Sequence, residues 1–379
     1  MRRIKSKTLW LILLSALWIF SCGKDTAVNP PAYIHKIPEQ IDDGWQTAGL
    51  ADVGIDEKII SGAIDRINYN LYENVHGILI VKDGRLVFEE YFSGHDFDGN
   101  FTEFDRNTLH YLASVTKSFT SALVGLAIDH GFIQKVDEKV FSFFPQYSTL
   151  IDSQKNNITL KHLLTMTAGL QWDEGSYPYT DSRNDHVSMN RSNDPIKFVL
   201  ERPLDVAPGT KFVYNSGLSI TLGGVIESAS ELRVNKFVER YLYSPLGITE
   251  YHWWHYPNGT FQTGGGLYML PRDMAKFGLL YLNGGIWNGN QIISNEWIQA
   301  STTEHISTGS QWGYGFKWWL RTYYANSREY ASFAARGWGG QYIIVFPSLE
   351  MVVVFTGGNY STPEPADEIL TRFILPAVL

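Results

Sequence analysis

A serine and a lysine three positions apart are the residues of this chain best suited to covalent chemistry. Ser114 and Lys117 open the stretch ASVTKSFTSALVGLAIDHG, where apolar side chains recur three and four apart. This periodicity predicts a helix from about Ser114 to Gly131, with the lysine amine beside the serine hydroxyl. A lysine that is desolvated near the positive end of a helix can lose its proton and act as the base that activates a serine.

A purely structural role fits the same four residues. Ser114 could cap the helix while Lys117 stays solvated on its outer face. Ser-x-x-Lys also occurs from Ser21 to Lys24, where no helix is expected. The pattern therefore needs support from elsewhere in the chain before it indicates catalysis.

The composition is that of an ordinary globular protein and narrows the possible partners. The 379 residues are 44% hydrophobic and 18% charged, with a formal net charge of -8. This balance argues against nucleic acid as a partner.

The chain has one cysteine, Cys22, which excludes intrachain disulfides and a cysteine metal cluster. His252 and His255 lack a carboxylate to complete a metal set, and the glycines at 264–266 lack the rest of a phosphate loop. We expect neither a metal nor a cofactor.

The first 22 residues have the pattern of an export signal. A basic start precedes an apolar run from Leu9 to Phe20 that is too short to span a bilayer. Cys22 follows, and a lone cysteine there resembles the lipid-modified cysteine of bacterial lipoproteins. An ordinary secretory signal or a short anchor would look similar. We expect residues 1–22 to be a lipoprotein signal peptide, with the mature protein exported to the bacterial cell envelope and tethered to a membrane, in the periplasm or at the cell surface.

Residues 23–45 are rich in Pro, Asp and Gly and are predicted to form a linker. Asp56 is then expected to cap a helix. Two β-rich runs, Ile78 to Val81 and Leu86 to Phe92, are joined by an Asp-Gly pair that favours a tight hairpin turn.

The middle of the chain reads as helices and loops. LKHLLTMTAGL predicts a short helix that ends at Gly169. Residues 176–194 are polar and aromatic without periodicity, which predicts a long loop. A further helix is expected from Pro271 to just before Gly284.

Two buried strand runs, GWGGQYIIVFP and EMVVVFTGG, and a terminal helix close the chain. Strands at both ends with helices between them predict an α+β domain over residues 46–379. Its antiparallel sheet would combine N- and C-terminal strands and be flanked by helices. We expect an α/β lobe at about 46–131 and 258–379, and an inserted, mainly helical lobe at about 132–257.

Three short motifs follow one another: SVTK at 114–117, YNS at 214–216 and GWGGQ at 337–341. With the flanking phrases HLLTMTAGL, PGTKFVYNSG, GGLYMLPRDMAKFG and GGQYIIVFP, the chain resembles the serine β-lactamase and penicillin-binding protein family. The likeness is greatest to the class C-like branch, with its related esterases and the 6-aminohexanoate-dimer hydrolase type. It extends from the hairpin at 76–92 to the strands near 356, and it favours catalysis at Ser114 over a mere helix cap.

The resemblance implies that Ser114 is the acylated nucleophile, Lys117 its partner and Tyr214 the second group of a proton relay. A neighbouring Lys⁺ would favour the phenolate form of Tyr214 and bring its pKa towards neutrality. Either Lys117 or Tyr214 could take the serine proton. Tyr214 could also be only a buried aromatic residue with a satisfied hydroxyl.

The resemblance also implies positions that bind the reacting group and the substrate. The oxyanion hole would combine the N–H of Ser114 with one from the strand around Trp338, Gly339 and Gly340. The possible substrate-binding residues are Ser216, Tyr177, Asp181 and Gln341. Tyr177, Tyr179 and Asp181 lie on the long loop and could equally be solvated there.

Two departures from the family pattern bear on the substrate. Ser216 stands where the family's β-lactamases usually have asparagine, and GWGGQ lacks the cation that pairs with the carboxylate of penicillins and peptidoglycan stems. Arg336 could replace that cation if it faced the site. We expect a serine hydrolase that acts on small-molecule esters, amides or peptides without that carboxylate. The alternatives are a penicillin-binding D,D-peptidase or class C-like β-lactamase, and a catalytically idle, lipid-anchored binding module.

Overall fold

An eight-stranded antiparallel sheet lies at the centre of the computed structural model, which describes residues 33–379. The strands of the described region are β1 (Val75–Lys82), β2 (Arg85–Tyr91), β3 (Ser93–His95), β4 (Phe101–Glu103), β5 (His110–Tyr111), β6 (Tyr251–Trp253), β7 (Leu267–Met269), β8 (Ile286–Trp287), β9 (Asn290–Gln291), β10 (Ile306–Ser307), β11 (Gly313–Tyr314), β12 (Trp319–Ala325), β13 (Arg328–Gly337), β14 (Gln341–Phe346) and β15 (Met351–Gly357). The strand order of the sheet is β10-β11-β12-β13-β14-β15-β1-β2, so the N-terminal hairpin pairs with the last strand of the chain.

Helices cover both faces of this sheet. They are α1 (Glu57–Asn68), α2 (Thr116–Asp129), α3 (Leu160–Leu164), α4 (Asp185–Asn190), α5 (Pro195–Leu200), α6 (Ser216–Ser230), α7 (Val234–Val238), α8 (Ser244–Leu246), α9 (Pro271–Leu282), α10 (Asn295–Ser301), α11 (Ala366–Ile369) and α12 (Leu375–Ala377). Alternate side chains of β14 and β15 enter two different hydrophobic cores, one shared with α2 and α9 and the other with α1 and the C-terminal helices. Burial on both faces explains why these strands are apolar without alternation. The predicted α+β fold is confirmed.

Local signals produce the elements that were predicted near the N-terminus. Asp56 accepts hydrogen bonds from the Lys58 and Ile59 amides and caps α1. Asp83 and Gly84 both have positive φ, 52° and 73°, which is the backbone of a two-residue type I′ turn between β1 and β2.

The helical region differs from the prediction at two points. Helix α3 ends at Leu164, five residues before Gly169, because Met166 takes the left-handed conformation with φ of 60°. The predicted loop at 176–194 contains a helix, α4, because the Asn184 side chain accepts a hydrogen bond from the His186 amide and starts it.

Residues 33–45 lie against the domain and are not the free tether that was predicted. The Tyr33 hydroxyl donates to Glu90 at 2.6 Å, and Trp45 is 1% exposed. Arg272, itself buried, pairs with both Asp43 at 2.8 Å and Glu89 at 2.5 Å. An ion pair at this depth holds the segment to α9, since separating its partners would leave a buried charge.

The predicted signal peptide, Cys22 and residues 23–32 lie outside the described residues. Among residues 33–379, no helix combines the length and the apolar character needed to cross a bilayer.

Candidate active site

Ser114 and Lys117 meet at the start of α2. Ser114 lies in a 3₁₀ turn, Ala113–Val115, and Ala113 adopts a φ of 46°, which turns the chain sharply before the helix. Lys117 is in the first turn of α2 and is 2% exposed. Its Nζ lies 2.8 Å from Ser114 Oγ and 2.5 Å from the Gly264 carbonyl oxygen. The lysine amine is therefore in direct contact with the serine hydroxyl.

Burial changes the pKa of the Lys117 amine. Desolvation lowers the pKa of Lys117 to about 8, against a smaller opposing effect of the Glu174 charge. A lysine with this pKa has a substantial neutral fraction near physiological pH. Its lone pair can then accept a proton from a hydroxyl at hydrogen-bonding distance.

Tyr214 reaches the same point from the residue before Asn215, the N-cap of α6. Ser114 lies close enough to this phenol to act on the pKa of Tyr214, and Lys117 Nζ is 5.0 Å from the centre of the Tyr214 ring. The expected phenolate is wrong, because burial and the nearby Glu174 charge raise the pKa of Tyr214 and outweigh the opposite effect of Ser114. The phenol is a proton donor at neutral pH.

An aromatic cavity of about 480 Å³ opens above Ser114. Six of its 19 lining residues are aromatic, namely Phe97, Tyr111, Tyr179, Trp254, Tyr268 and Trp338. Such a cavity suits a small ligand with apolar parts.

Glu174 is a site residue that sequence reasoning missed. It lines the cavity with 6% exposure, and its carboxylate accepts hydrogen bonds from the Ser216 amide at 2.7 Å, the Ser216 hydroxyl at 2.5 Å, Trp172 Nε1 at 2.9 Å and the Tyr179 hydroxyl at 3.1 Å. Burial alone would raise its pKa, but the Lys117 charge and the Ser216 donors act in the other direction, and the pKa of Glu174 lies below its ordinary value. A buried anion therefore stands beside the serine and the lysine.

The GWGGQ segment contributes backbone rather than a cation. A Cβ on Gly337 would lie 2.3 Å from the Leu112 carbonyl oxygen and 3.1 Å from the Ser114 amide nitrogen, so only glycine fits there. Trp338 lines the cavity, and within residues 33–379 its N–H has no acceptor. The Trp338 amide is thus placed near that of Ser114.

Gly339 and Gly340 do not contribute the predicted oxyanion donors. The Gly339 amide donates to Glu364 Oε1 at 3.1 Å, and the Gly340 amide lies near the same carboxyl group and acts to lower the pKa of Glu364. Both residues have positive φ, 86° and 92°, so the chain turns here. The Trp338 amide is therefore the candidate for the second oxyanion donor, beside the Ser114 amide.

Comparison with known proteins identifies the family of this chain. The family model described as Beta-lactamase matches residues 73–376. The chain belongs to the β-lactamase family. The family resemblance seen in the sequence is confirmed, and the chain is a hydrolase of the β-lactamase, esterase and peptidase kind.

Similar proteins span most of the chain at low identity. A relative from Salmonella heidelberg, named as a candidate D-alanyl-D-alanine carboxypeptidase, is 22% identical over 93% of this chain and 92% of its own. A candidate 6-aminohexanoate-dimer hydrolase from Bacillus anthracis has a TM-score of 0.66 at 21% identity, with 80% of this chain and 78% of that chain covered. A family VIII carboxylesterase has a TM-score of 0.67 at 16% identity, with 84% and 96% covered. These structures share the β-lactamase family fold.

Arg336 does not supply the cation that β-lactamases of the family carry in their third motif. It lies on the face of β13 that is remote from α2, where its guanidinium pairs with Asp367 at 3.1 Å and stacks 4.1 Å from the centre of the Tyr342 ring. Its positive charge is therefore paired with Asp367 inside the fold.

Three of the predicted substrate-binding residues lie outside the cavity lining. Asp181 pairs with Arg183 at 2.6 Å, and that guanidinium also lies 4.3 Å from the centre of the Tyr177 ring. Gln341 donates to the Gly357 carbonyl at 2.6 Å and joins β14 to β15. In this β-lactamase-family chain, Tyr179 and Thr180 line the cavity from that loop, as do residues of α4, while Ser216 lines it as predicted.

Replacing Gly337 with alanine should collapse the site. The new Cβ would overlap the backbone around Ser114, so we expect kcat/KM for ester hydrolysis to fall by about 10²-fold or more, since small displacements of reacting groups are costly. Stability should fall by about 1–3 kcal/mol from overpacking. Gly175→Ala is the matched control, because a Cβ there meets open space. Hydrolysis rates and thermal unfolding of both variants measure the effect; an active Gly337→Ala enzyme would contradict it.

Lys317 is a second buried lysine close to this site. It is 1% exposed, and within residues 33–379 its amine has only the Met166 sulfur as a partner, at 3.1 Å. Burial and the charge of Lys117 hold the pKa of Lys317 well below its ordinary value. Because the unfolded lysine binds a proton that the folded one lacks, this group makes the fold less stable as pH falls.

Lys317→Met should therefore stabilise the protein most at low pH. Methionine fills a similar volume without a titrating group, so its advantage should shrink as pH rises towards about 10, by up to about 1.4 kcal/mol per pH unit. Urea unfolding between pH 6 and 10 measures this trend, with exposed Lys161→Met as the control. A stability difference independent of pH would show that Lys317 is charged in the folded protein.

Proposed function

We propose that this protein is a serine hydrolase that cleaves ester or amide bonds through an acyl-enzyme on Ser114. The observation that carries the proposal is the 2.8 Å contact between Ser114 Oγ and a buried Lys117 amine whose pKa is lowered to about 8. A serine hydroxyl becomes a good nucleophile only when a neighbouring base takes its proton. Lys117 is in the position and the ionisation state to do so.

Lys117 is the base in this mechanism, and Tyr214 is the acid. As Ser114 Oγ bonds to the substrate carbonyl carbon, its proton moves to the neutral Lys117 amine. The raised pKa of Tyr214 keeps its phenol protonated. Tyr214 can then protonate the leaving oxygen or nitrogen as the scissile bond breaks, and it recovers a proton from the Lys117 ammonium. A water molecule attacks the acyl-enzyme in the second half of the reaction and releases the acid and Ser114.

The amide groups of Ser114 and Trp338 form the oxyanion hole in this proposal. Negative charge develops on the carbonyl oxygen as Ser114 attacks, and fixed N–H donors stabilise that charge without reorganising. The position of Ser114 at the N-terminal side of α2 adds the positive end of a helix.

The aromatic lining of the cavity favours small esters or amides with apolar parts. Glu174 adds a carboxylate to the same cavity. The ion pair of Arg336 with Asp367 supports substrates that do not depend on a carboxylate next to GWGGQ.

A fluorophosphonate probe tests this function directly. We expect one covalent adduct on the peptide that contains Ser114, by mass spectrometry, and protection by a short nitrophenyl ester. A panel of esters, linear amides, D-amino acid peptides and a chromogenic cephalosporin then ranks the substrates. A folded protein without any adduct would instead support a catalytically idle binding module.

A D,D-peptidase or β-lactamase activity is a second candidate. Relatives named as candidate D-alanyl-D-alanine carboxypeptidases align over 93% of the chain. Arg191 lines the cavity, and within residues 33–379 it forms no salt bridge, so its guanidinium is free to pair with a substrate carboxylate. Labelling of Ser114 by fluorescent penicillin, lost on Arg191→Gln, would favour this candidate over the esterase.

Export and lipid attachment at Cys22 also belong to this proposal. The sequence pattern of residues 1–22 supports them. Metabolic labelling with a fatty-acid analogue should mark the wild-type protein and not Cys22→Ala. Label that persists in the variant would exclude Cys22 as the lipid site.

A further inference from the structure

The Glu174 carboxylate accepts hydrogen bonds from the hydroxyl groups of two residues that line the cavity. Ser216 Oγ donates to it at 2.5 Å and Tyr179 Oη at 3.1 Å. An ionised carboxylate has no proton to give, so the hydroxyl is the donor in both contacts. Towards a ligand, the oxygens of Ser216 and Tyr179 therefore offer only lone pairs.

The groups behind Glu174 leave its charge in place. Asn190 Oδ1 accepts a hydrogen bond from the Tyr256 hydroxyl at 2.5 Å, and Asn190 Nδ2 lies 3.0 Å from His186 Nε2. Burial lowers the pKa of His186, whose Nδ1 lies 4.0 Å from Glu174 Oε1, so the imidazole is neutral at physiological pH. A neutral imidazole polarises the carboxylate without cancelling its charge. This side of the cavity is thus both negative and rich in hydrogen-bond acceptors.

We infer that the substrate places an N–H donor, most favourably a primary ammonium group, against Ser216 and Tyr179, a few atoms from the carbonyl that Ser114 attacks. Hydrogen bonds between an ammonium group and acceptors that are backed by a carboxylate are stronger than neutral ones. The rings of Tyr179 and Trp338, 5.4 Å apart, add aromatic faces that attract cations. The substrate class is an amino-substituted ester or amide, and this inference rests on the proposed function.

Matched ester pairs test the inference. On the acyl side, the nitrophenyl ester of β-alanine is compared with nitrophenyl butyrate, which replaces the ammonium group with a methyl group. On the leaving-group side, 2-aminoethyl benzoate is compared with propyl benzoate. In at least one pair we expect kcat/KM for the amine to exceed that of its partner by about tenfold or more, after correction for uncatalysed hydrolysis.

Three variants locate the source of that preference. Glu174→Gln removes the charge and frees the Ser216 hydroxyl to donate, so the amine preference should fall about tenfold. Effects of this variant on Lys117 act on both esters and cancel in the ratio. Tyr179→Phe removes one acceptor from a residue that is 39% exposed, where folding is not at risk, and should reduce the preference less. Asp181→Asn is the control, a carboxylate on the same loop that lies outside the cavity lining, and should leave the ratio unchanged.

The outcomes separate this inference from the proposed function. Ser114-dependent hydrolysis with equal ratios in the wild type and Glu174→Gln would overturn the inference and leave the hydrolase intact. If no ester is hydrolysed through Ser114, the proposed function fails, and binding decides the inference. Thermal shifts by 2-aminoethylboronic acid and propylboronic acid then compare the same two groups; equal shifts would overturn the inference, while an ammonium advantage that Glu174→Gln removes would support it.

Discussion

Ser114→Ala is expected to reduce kcat/KM for a short-chain nitrophenyl ester by about 10³-fold or more, with little change in folding. Removing the nucleophile of a serine hydrolase leaves only the catalysis that binding and the oxyanion hole can supply. The hydroxyl is small and its contacts are local, so thermal unfolding should stay close to that of the wild type. Steady-state rates and melting curves on the same preparations measure the two effects.

Ser121→Ala is the matched control for this variant. Ser121 lies two turns along α2, is fully buried, and within residues 33–379 its hydroxyl has no hydrogen-bond partner. Its removal should leave activity unchanged and stability equal or higher, because a buried hydroxyl without a partner costs free energy. Ester hydrolysis that survives in Ser114→Ala but not in Ser121→Ala would place the reaction elsewhere.

Elements with a local cause could be predicted from the sequence. The Asp56 cap, the Asp83-Gly84 turn and the apolar face of the helix after Ser114 depend on residues within a few positions of each other. The SVTK spacing likewise places Lys117 beside Ser114 because residues three apart on a helix are neighbours. These parts of the fold and the site needed no tertiary information.

Strands β12 and β13 were missed although their hairpin has a short turn. Asn326 and Ser327 both take positive φ, 49° and 60°, yet Asn-Ser lacks the glycine that makes such a turn recognisable. The Arg321 and Arg336 side chains lie on the outer face of these strands and pair with Asp367, which interrupts the hydrophobic pattern. Tertiary ion pairs here override the sequence signal.

The role of Glu174 could not be found from the sequence because its partner in the fold, Ser216, is 42 positions away. The orientation of Arg336 has a similar cause. In a regular strand Arg336 and Trp338 would share a face, but β13 ends at Gly337, and the turn that follows directs Trp338 into the cavity. The end of β13 at Gly337 thus determines that Trp338, and not Arg336, lines the cavity.

Lys117→Met and Tyr214→Phe should separate the base from the acid. If Lys117 takes the Ser114 proton, log kcat/KM for the wild type rises with pH and levels off near the Lys117 pKa of about 8. Lys117→Met should lose about 10²–10⁴-fold in rate, the range for a general base, and its residual activity should lack this ionisation. Tyr214→Phe should keep the ionisation near pH 8 and lose more rate on esters with a poor leaving group, which need protonation, than on nitrophenyl esters.

The opposite result has an equally clear meaning. If Tyr214→Phe removed the ionisation and Lys117→Met kept it, the phenol would be the base, and its raised pKa would have to fall when substrate binds. Glu174→Gln tests only whether the ionisation belongs to this site, because the Glu174 charge raises the pKa of Lys117. Loss of that charge should move the rise in the pH profile to lower pH if Lys117 is the base. For a Tyr214 phenolate the sign is the same, since Glu174 also raises the pKa of Tyr214, so only the two direct variants assign the base.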